Sequence, residues 1–320
     1  MREFAVNQAA RASAPASIGN VGVGFDVLGQ AFDAARDTVT AHREAEPGVR
    51  LGAVTGLVDS LPSEVNANTA LAAAAALLGA AGADFGVTLD IDKQIPVSAG
   101  MGGSAASAVA AAAAVNALLE SPYPIADLLP FALAGETVSA DPPPWDNVMA
   151  ALLGGLVIAA RLEPALISPV PAPSGLTAVL FHPDAKTETA AARGVLSEHV
   201  PLQTAVEHAR RISAFTLGCA TGDRALIRAG LEDVLVEPQR AFLLPELGAV
   251  KAAALKAGAL GCSFSGSGPS VFAWAEDADA DRVQQAMAEA FFAAGRGARA
   301  YRAPLTSEGV RMEPALEAVW

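Results

Sequence analysis

The chain has 320 residues, enough for two domains of ordinary size, and its 52% hydrophobic and 17% charged residues mark a packed globular protein. A net charge of −13 argues against nucleic acid or an anionic membrane as a partner, but leaves small anionic ligands open, because local groups capture those. Two cysteines, Cys219 and Cys262, and four scattered histidines supply neither a disulfide framework nor zinc spacing, as expected of a reducing cytoplasm.

In chain order, Phe4 and Val6 alternate as a strand, and the first residues lack the continuous apolar core of a secretion signal. PASIGNVGVGFDVLGQAF (15–32) reads as a glycine-punctuated loop carrying two side chains that can grip a polar ligand, Asn20 and Asp26. On local grounds alone, a tight turn that satisfies its own backbone explains both better. Segments 38–42 and 49–55 read as short strands. Asn66 or Asn68 caps a helix through Leu78 that Gly82 ends, and 87–91 alternates as a strand.

PVSAGMGGSAAS (96–107) then runs into the apolar AVAAAAAVNALL. Gly100, Gly102 and Gly103 let backbone N–H groups converge, and a helix from Ser104 to about Leu119 adds its unpaired N–H groups and positive dipole end. Together these form a phosphate site; a plain Ser-capped helix after a turn is the alternative. The alanine-rich runs are too short, and too poor in Leu and Ile, to span a membrane. Pro124 opens a helix through about Val138, with Glu136 near its end. DPPPWDNVMAALLGGLVIAA (141–160) gives a proline-rich loop, a short helix near Asp146, a Gly-Gly break and an apolar strand.

Four prolines in 162–176 mark a domain boundary. Beyond it come strand 177–182, helices 187–197, 201–218 and 222–230, a loop holding EPQR (237–240) and helix 246–257. Strand 261–265, a GSGPS turn, strand 270–275, helix 279–294 and strand 297–303 follow. This order is that of a ferredoxin-like split βαβ, so both halves read as α+β layers.

PVSAGMGGSAAS resembles the central phosphate motif of the GHMP kinases, PASIGNVGVGFDVLG their N-terminal motif in its homoserine kinase form, and GCSFSGSGPSVFAWAE (261–276) their C-terminal glycine motif. WDNVMAALLGG, TETAAAR and EPQRAFLLPEL also resemble homoserine kinases, and the likeness covers nearly the whole chain in order. It implies an α+β fold with a ribosomal-S5-like ATP-binding domain over 1–168 and a ferredoxin-like sandwich over 169–320. It further implies a cytoplasmic homodimer that uses ATP and Mg²⁺ to phosphorylate the side-chain hydroxyl of L-homoserine. Pro96, Gly100, Met101, Gly102, Gly103, Ser104 and Ala105 then hold the phosphates, with Asn68 near the adenine, although helix capping explains Asn68 equally well.

By the same resemblance Ser104 and Glu136 hold the metal, whereas Glu136 taken alone is an ordinary exposed helix residue. Asn20 and Asp26 suit the substrate's polar ammonium end, and Arg193 and Arg240 its carboxylate. Asn147 aligns the hydroxyl, with Thr189 nearby. Ser104, Glu136 and Asn147 make the catalytic set, and no strong general base stands out, as fits a reaction driven by alignment and Mg²⁺. Two segments depart from the family pattern. Met101 and Gly103 replace a Leu and the first Ser of the central motif, and Pro144 replaces a His three residues before Asn147. A kinase of another small alcohol, or a weakly active nucleotide- or amino-acid-binding relative, are the alternatives. Trp145 either walls the substrate's methylenes or packs between helices.

Overall fold

The computed structural model describes residues 7–187 and 189–314, so the expected strand at Phe4 and Val6 lies outside them. Ala9–Gly19 (β1) and Leu28–Glu44 (β2) pair antiparallel from Ala9↔His42 down to Gly19↔Gly29. The stretch expected as one loop over 15–32 is therefore mostly strand. Its ladder runs down to two glycines, and only residues 20–27 loop out.

Gly48–Gly56 (β3) pairs parallel with Gly86–Lys93 (β4), which in turn pairs antiparallel with the Thr38–Glu44 half of β2. The other end of β2, Leu28–Gln30, carries Leu156–Arg161 (β5), and β5 carries Leu166–Val170 (β6). Residue 168, the expected last residue of the first domain, thus falls inside a strand of the first sheet. Of the four prolines only Pro169 lies within β6, and proline is tolerated there because β6 is an edge strand.

Three helices pack on this sheet, Thr69–Ala81 (α1), Gly103–Asn116 (α2) and Trp145–Leu153 (α4), and a fourth, Leu129–Glu136 (α3), packs against those helices. Asn68 caps α1, its Oδ1 accepting from the N–H groups of Ala70 (3.0 Å) and Leu71 (3.4 Å), and Gly82 ends it in the left-handed region. Every residue of α2 from Ala105 to Asn116 is buried, as an alanine-rich surface allows when neighbours crowd it on every side. The helix expected from Pro124 begins instead as a 3₁₀ turn, Ile125–Leu128, and becomes α-helical only at Leu129.

The second half contains β-strands Leu176–Pro183 (β7), Gly261–Phe264 (β8), Val271–Glu276 (β9) and Ala298–Pro304 (β10), in the antiparallel order β10-β7-β9-β8 of a ferredoxin-like sheet. Its helices are Thr189–Gly194 (α5), Leu202–Thr221 (α6), Arg224–Gly230 (α7), Glu237–Arg240 (α8), Leu247–Lys256 (α9) and Ala280–Ala293 (α10). The EPQR segment, expected as loop, is the single turn α8. Asp233 starts it by accepting from the N–H groups of Leu235 (2.8 Å), Val236 (3.0 Å) and Glu237 (2.7 Å).

Alternation along β7 splits the core: Val179 and Phe181 face α9 and α10, while Ala178 and Leu180 belong to the larger core shared with the first sheet. The two halves are joined there by the buried Trp274, whose indole N–H donates to Gln30 Oε1 at 2.9 Å. The chain then returns, and Arg311–Glu313 (β11) pairs with β1.

Candidate active site

The glycine-rich end of the loop between β4 and α2 is held by its carbonyl groups. The carbonyls of Ala99, Gly100, Met101 and Gly103 accept from Ser270 N (3.2 Å), Ser265 Oγ (2.6 Å), Ser17 N (2.9 Å) and Lys93 Nζ (2.9 Å). A trans peptide directs each C=O opposite to the next N–H. Tying these carbonyls to the protein therefore turns the N–H groups of Gly100, Met101, Gly102 and Ser104 the other way.

Gly100 (φ 72°) and Gly102 (φ 64°) allow this path, and no other residue fits at either. A Cβ at Gly100 would stand 2.6 Å from the carbonyl oxygens of Ser265 and Gly268, and one at Gly102 would stand 2.0 Å from Ser17 Oγ. No side chain caps α2, so its first N–H groups stay free. The turn that carries Ser265 and Ser270 comes from the second half, so the phosphate-type loop exists only where both halves meet.

This loop borders a cleft of about 470 Å³ lined by Asn20, Asp26, Asn68, Pro96, Gly100, Gly102, Gly103, Ser104, Glu136, Asn147, Arg193 and Arg240, all expected from the sequence. Met101 and Ala105 are the exceptions: their side chains are 1% and 0% exposed and belong to the core, so only their backbone faces the loop. The side chain of Thr189 lies outside the described residues; Thr187, two positions earlier, lines the cleft. Trp145 packs against the core and does not line the cleft, because the first turn of α4 directs it inward.

Glu136, an ordinary exposed helix residue when taken alone and a metal ligand by resemblance, is fully buried. Its Oε2 accepts from Ser104 Oγ and Ser139 Oγ, each at 3.0 Å, while the buried Oε1 has no partner. Burial pushes its carboxyl up to about 7, opposed by those two hydroxyls and by Lys93. A half-satisfied buried carboxylate beside a hydroxyl suits a hard cation completed by phosphate oxygens and water. Among the described residues no cluster of three or more His, Cys, Asp or Glu side chains offers an all-protein metal cage.

Asp26 and Arg193 form a two-pronged ion pair, Nη1 to Oδ2 at 2.9 Å and Nη2 to Oδ1 at 2.7 Å. Arg240, 2% exposed, donates from Nε to the Ala192 carbonyl (2.8 Å), and burial and then the neighbouring Arg193 lower its proton affinity. Both guanidinium groups lie over the Phe25 ring, at 5.5 and 5.2 Å, so one aromatic ring accommodates two cations. Asn68 spends its oxygen on the α1 cap and its Nδ2 on the Pro62 carbonyl (2.9 Å).

Sequence reasoning passes over the network beneath the loop. Lys93 Nζ donates to Asp37 Oδ2, to the Gly103 carbonyl and to Ser107 Oγ (3.0 Å), and Asp37 Oδ1 accepts from the N–H groups of Gln94 and Ile95, each at 3.0 Å. A lone lysine ending an alternating strand carries no signal of this in the sequence.

A glycine-rich loop at the open N-terminus of the buried helix α2, a buried carboxylate beside a hydroxyl and a pair of arginines are set between two α+β halves, the fold of a phosphoryl-transfer enzyme. The chain matches the family model for the GHMP kinases N terminal domain over residues 68–155 and that for GHMP kinases C terminal over 214–293. A homoserine kinase of Xylella fastidiosa is 45% identical over 304 residues, covering 95% of this chain and 94% of that one. One of Chlorobium phaeobacteroides is 39% identical over 94% and 98% of the two chains. The crystal structure of homoserine kinase from Cytophaga hutchinsonii superposes with a TM-score of 0.92 at 35% identity, covering 98% of this chain and all of that one. The chain belongs to the homoserine kinase family of the GHMP kinases.

Proposed function

We propose that the protein transfers the terminal phosphoryl group of ATP to the side-chain hydroxyl of L-homoserine, giving O-phospho-L-homoserine. The observation that carries this reading is one cleft holding both a loop of outward N–H groups and a matched carboxylate–guanidinium pair. Homoserine carries the same two charges, so its ammonium can face Asp26 and its carboxylate the Arg193–Arg240 pair. Ser17 Oγ donates to Asn147 Oδ1 at 2.9 Å, and this proximity to the loop supports Asn147 as an aligner of the hydroxyl. The loop N–H groups and the α2 dipole hold the phosphates, and the apolar Leu61, Pro62 and Val97 supply a lip for the adenine.

Ser104 and Glu136 would hold Mg²⁺, and the unpartnered Glu136 Oε1 supports this assignment. When bound, the ion neutralises charge on the transferring phosphate. Asn20, Asp26, Asn147, Arg193 and Arg240 position the acceptor, and alignment does the work that a general base would otherwise do. No described helix is long and apolar enough to cross a membrane. A cytoplasmic homodimer is part of this reading on family resemblance alone.

Pro144 lines the cleft without a donor side chain, the observation that favours a second reading with another small alcohol as acceptor. Coupled ADP release measured against homoserine, mevalonate, shikimate, galactose and threonine separates the two. Release with homoserine alone is expected, and release with any of the others in its absence overturns the proposal.

A further inference from the structure

Asp146 stands in the first turn of α4, 2% exposed, boxed in by two glycines of the first sheet. A Cβ at Gly19 would come within 2.6 Å of its Oδ2, and one at Gly29 within 1.9 Å of its carbonyl oxygen. Its carboxylate makes two contacts that lead in different directions. Oδ1 accepts from Asn147 Nδ2 at 3.1 Å, and Oδ2 accepts from the backbone N–H of Asn20 at 2.8 Å.

The first contact, with Ser17 donating to Asn147 Oδ1, fixes which way the Asn147 amide faces. That oxygen lies 3.0 Å from where a Cβ on Gly102 would be, so an acceptor and not a donor is turned to the phosphate loop. The second contact holds a strained loop. Asn20 (φ 67°), Val21 (φ 44°) and Asp26 (φ 57°) all occupy the left-handed region without being glycine. Asn20 passes the constraint on, its Nδ2 donating to the Gly266 carbonyl (2.9 Å) and its Oδ1 accepting from Asp26 N (3.2 Å).

We propose that Asp146 is a positioning residue: one carboxylate fixes the Asn147 amide at the hydroxyl end and the Asn20–Asp26 loop at the ammonium end. It thereby sets the distance at which the alcohol meets the phosphate loop. The proposal rests on the kinase reading above. Burial, followed by the nearby Asp26 charge, pushes the Asp146 carboxyl up to about 6, so an ionised group here is held at a cost to stability. A neutral residue of the same shape would fold more easily, and the two donors converging on Asp146 are what the ionised carboxylate serves.

The test compares wild type with D146N, and with S17A as a weaker perturbation of the same amide. In D146N the Asn147 amide loses its fixed orientation, and kcat with homoserine is expected to fall about tenfold to a hundredfold, as sub-ångström misplacement does. KM for ATP stays within about threefold, S17A shows the same pattern at smaller size, and melting temperature is unchanged or higher. Hydrogen–deuterium exchange of the backbone over residues 19–27 should rise in D146N whether or not substrate is present. An inactive wild type overturns the kinase reading and leaves the exchange experiment to judge Asp146. An active wild type with D146N equally active, or D146N with unchanged exchange over 19–27, overturns the positioning role alone.

Discussion

Lys93→Met separates a lysine that braces the phosphate loop from one that contacts phosphate. In the structure all three Nζ protons are committed: to Asp37, to the Gly103 carbonyl and to Ser107 Oγ. Lys93 is 4% exposed and Asp37 is fully buried. Removing one partner of a buried pair leaves an uncompensated charge and costs about 3–5 kcal/mol. At roughly 2–4 °C per kcal/mol for a large domain, the melting temperature should drop on the order of 10 °C.

Asp37 keeps its bonds from Ser107 Oγ and the N–H groups of Gln94 and Ile95, so the loss should lie at the lower end of that range. The double variant Lys93→Met/Asp37→Leu should recover only part of it, because those two N–H groups then lose their acceptor. The freed Gly103 carbonyl loosens the loop, so KM for ATP should rise together with the loss of stability. Differential scanning calorimetry and initial rates at varied ATP measure both. A Lys93→Met protein that melts within 2 °C of wild type yet binds ATP poorly would refute the bracing role and assign Lys93 to the phosphates.

Arg193→Ala and Arg240→Ala should each raise KM for homoserine about tenfold to a hundredfold with little change for ATP, as loss of a charge-assisted bond implies. Arg240→Ala should also lower the melting temperature, because it strips the buried Ala192 carbonyl of its donor, and steady-state kinetics with calorimetry distinguishes the two arginines. Ser104→Ala and Glu136→Gln should cut turnover and raise the Mg²⁺ concentration needed for half-maximal rate without unfolding the chain, checked by rate against Mg²⁺ and circular dichroism. Asp146→Asn should remove a charge that costs up to about 3 kcal/mol at pH 8, from a folded value of about 6 against an ordinary 3.8, offset by about 1–3 kcal/mol for the Asn20 N–H that loses its acceptor. The folded state holds its proton more tightly here, so the cost of the charge is complete above pH 6 and fades as pH falls towards 4. Denaturant titrations across that range should show the stability of the variant relative to wild type falling towards acid.

Local chemistry wrote several features directly into the chain. The glycines of 100–103 before an unbroken alanine run determined the phosphate loop and the buried α2, because a left-handed backbone and a side-chain-poor helix need those residues and few others. Gly82 and a capping asparagine, Asn66 or Asn68, marked the ends of α1 through local capping chemistry, and the structure selects Asn68. The strand and helix order of the second half determined its ferredoxin-like sheet.

Tertiary structure decided the rest, through contacts between residues far apart in sequence. Glu136 reads as a surface residue because nothing in LPFALAGE shows that α3 turns its last residue beneath Ser104. The EPQR turn needed Asp233, β6 needed a vacant edge on β5, and β11 needed the open side of β1. Lys93 and Asp37 are 56 residues apart, and Asp146 and Asn20 are 126 apart. Their pairings follow from which strands lie side by side, and neighbouring residues in the chain carry no trace of that.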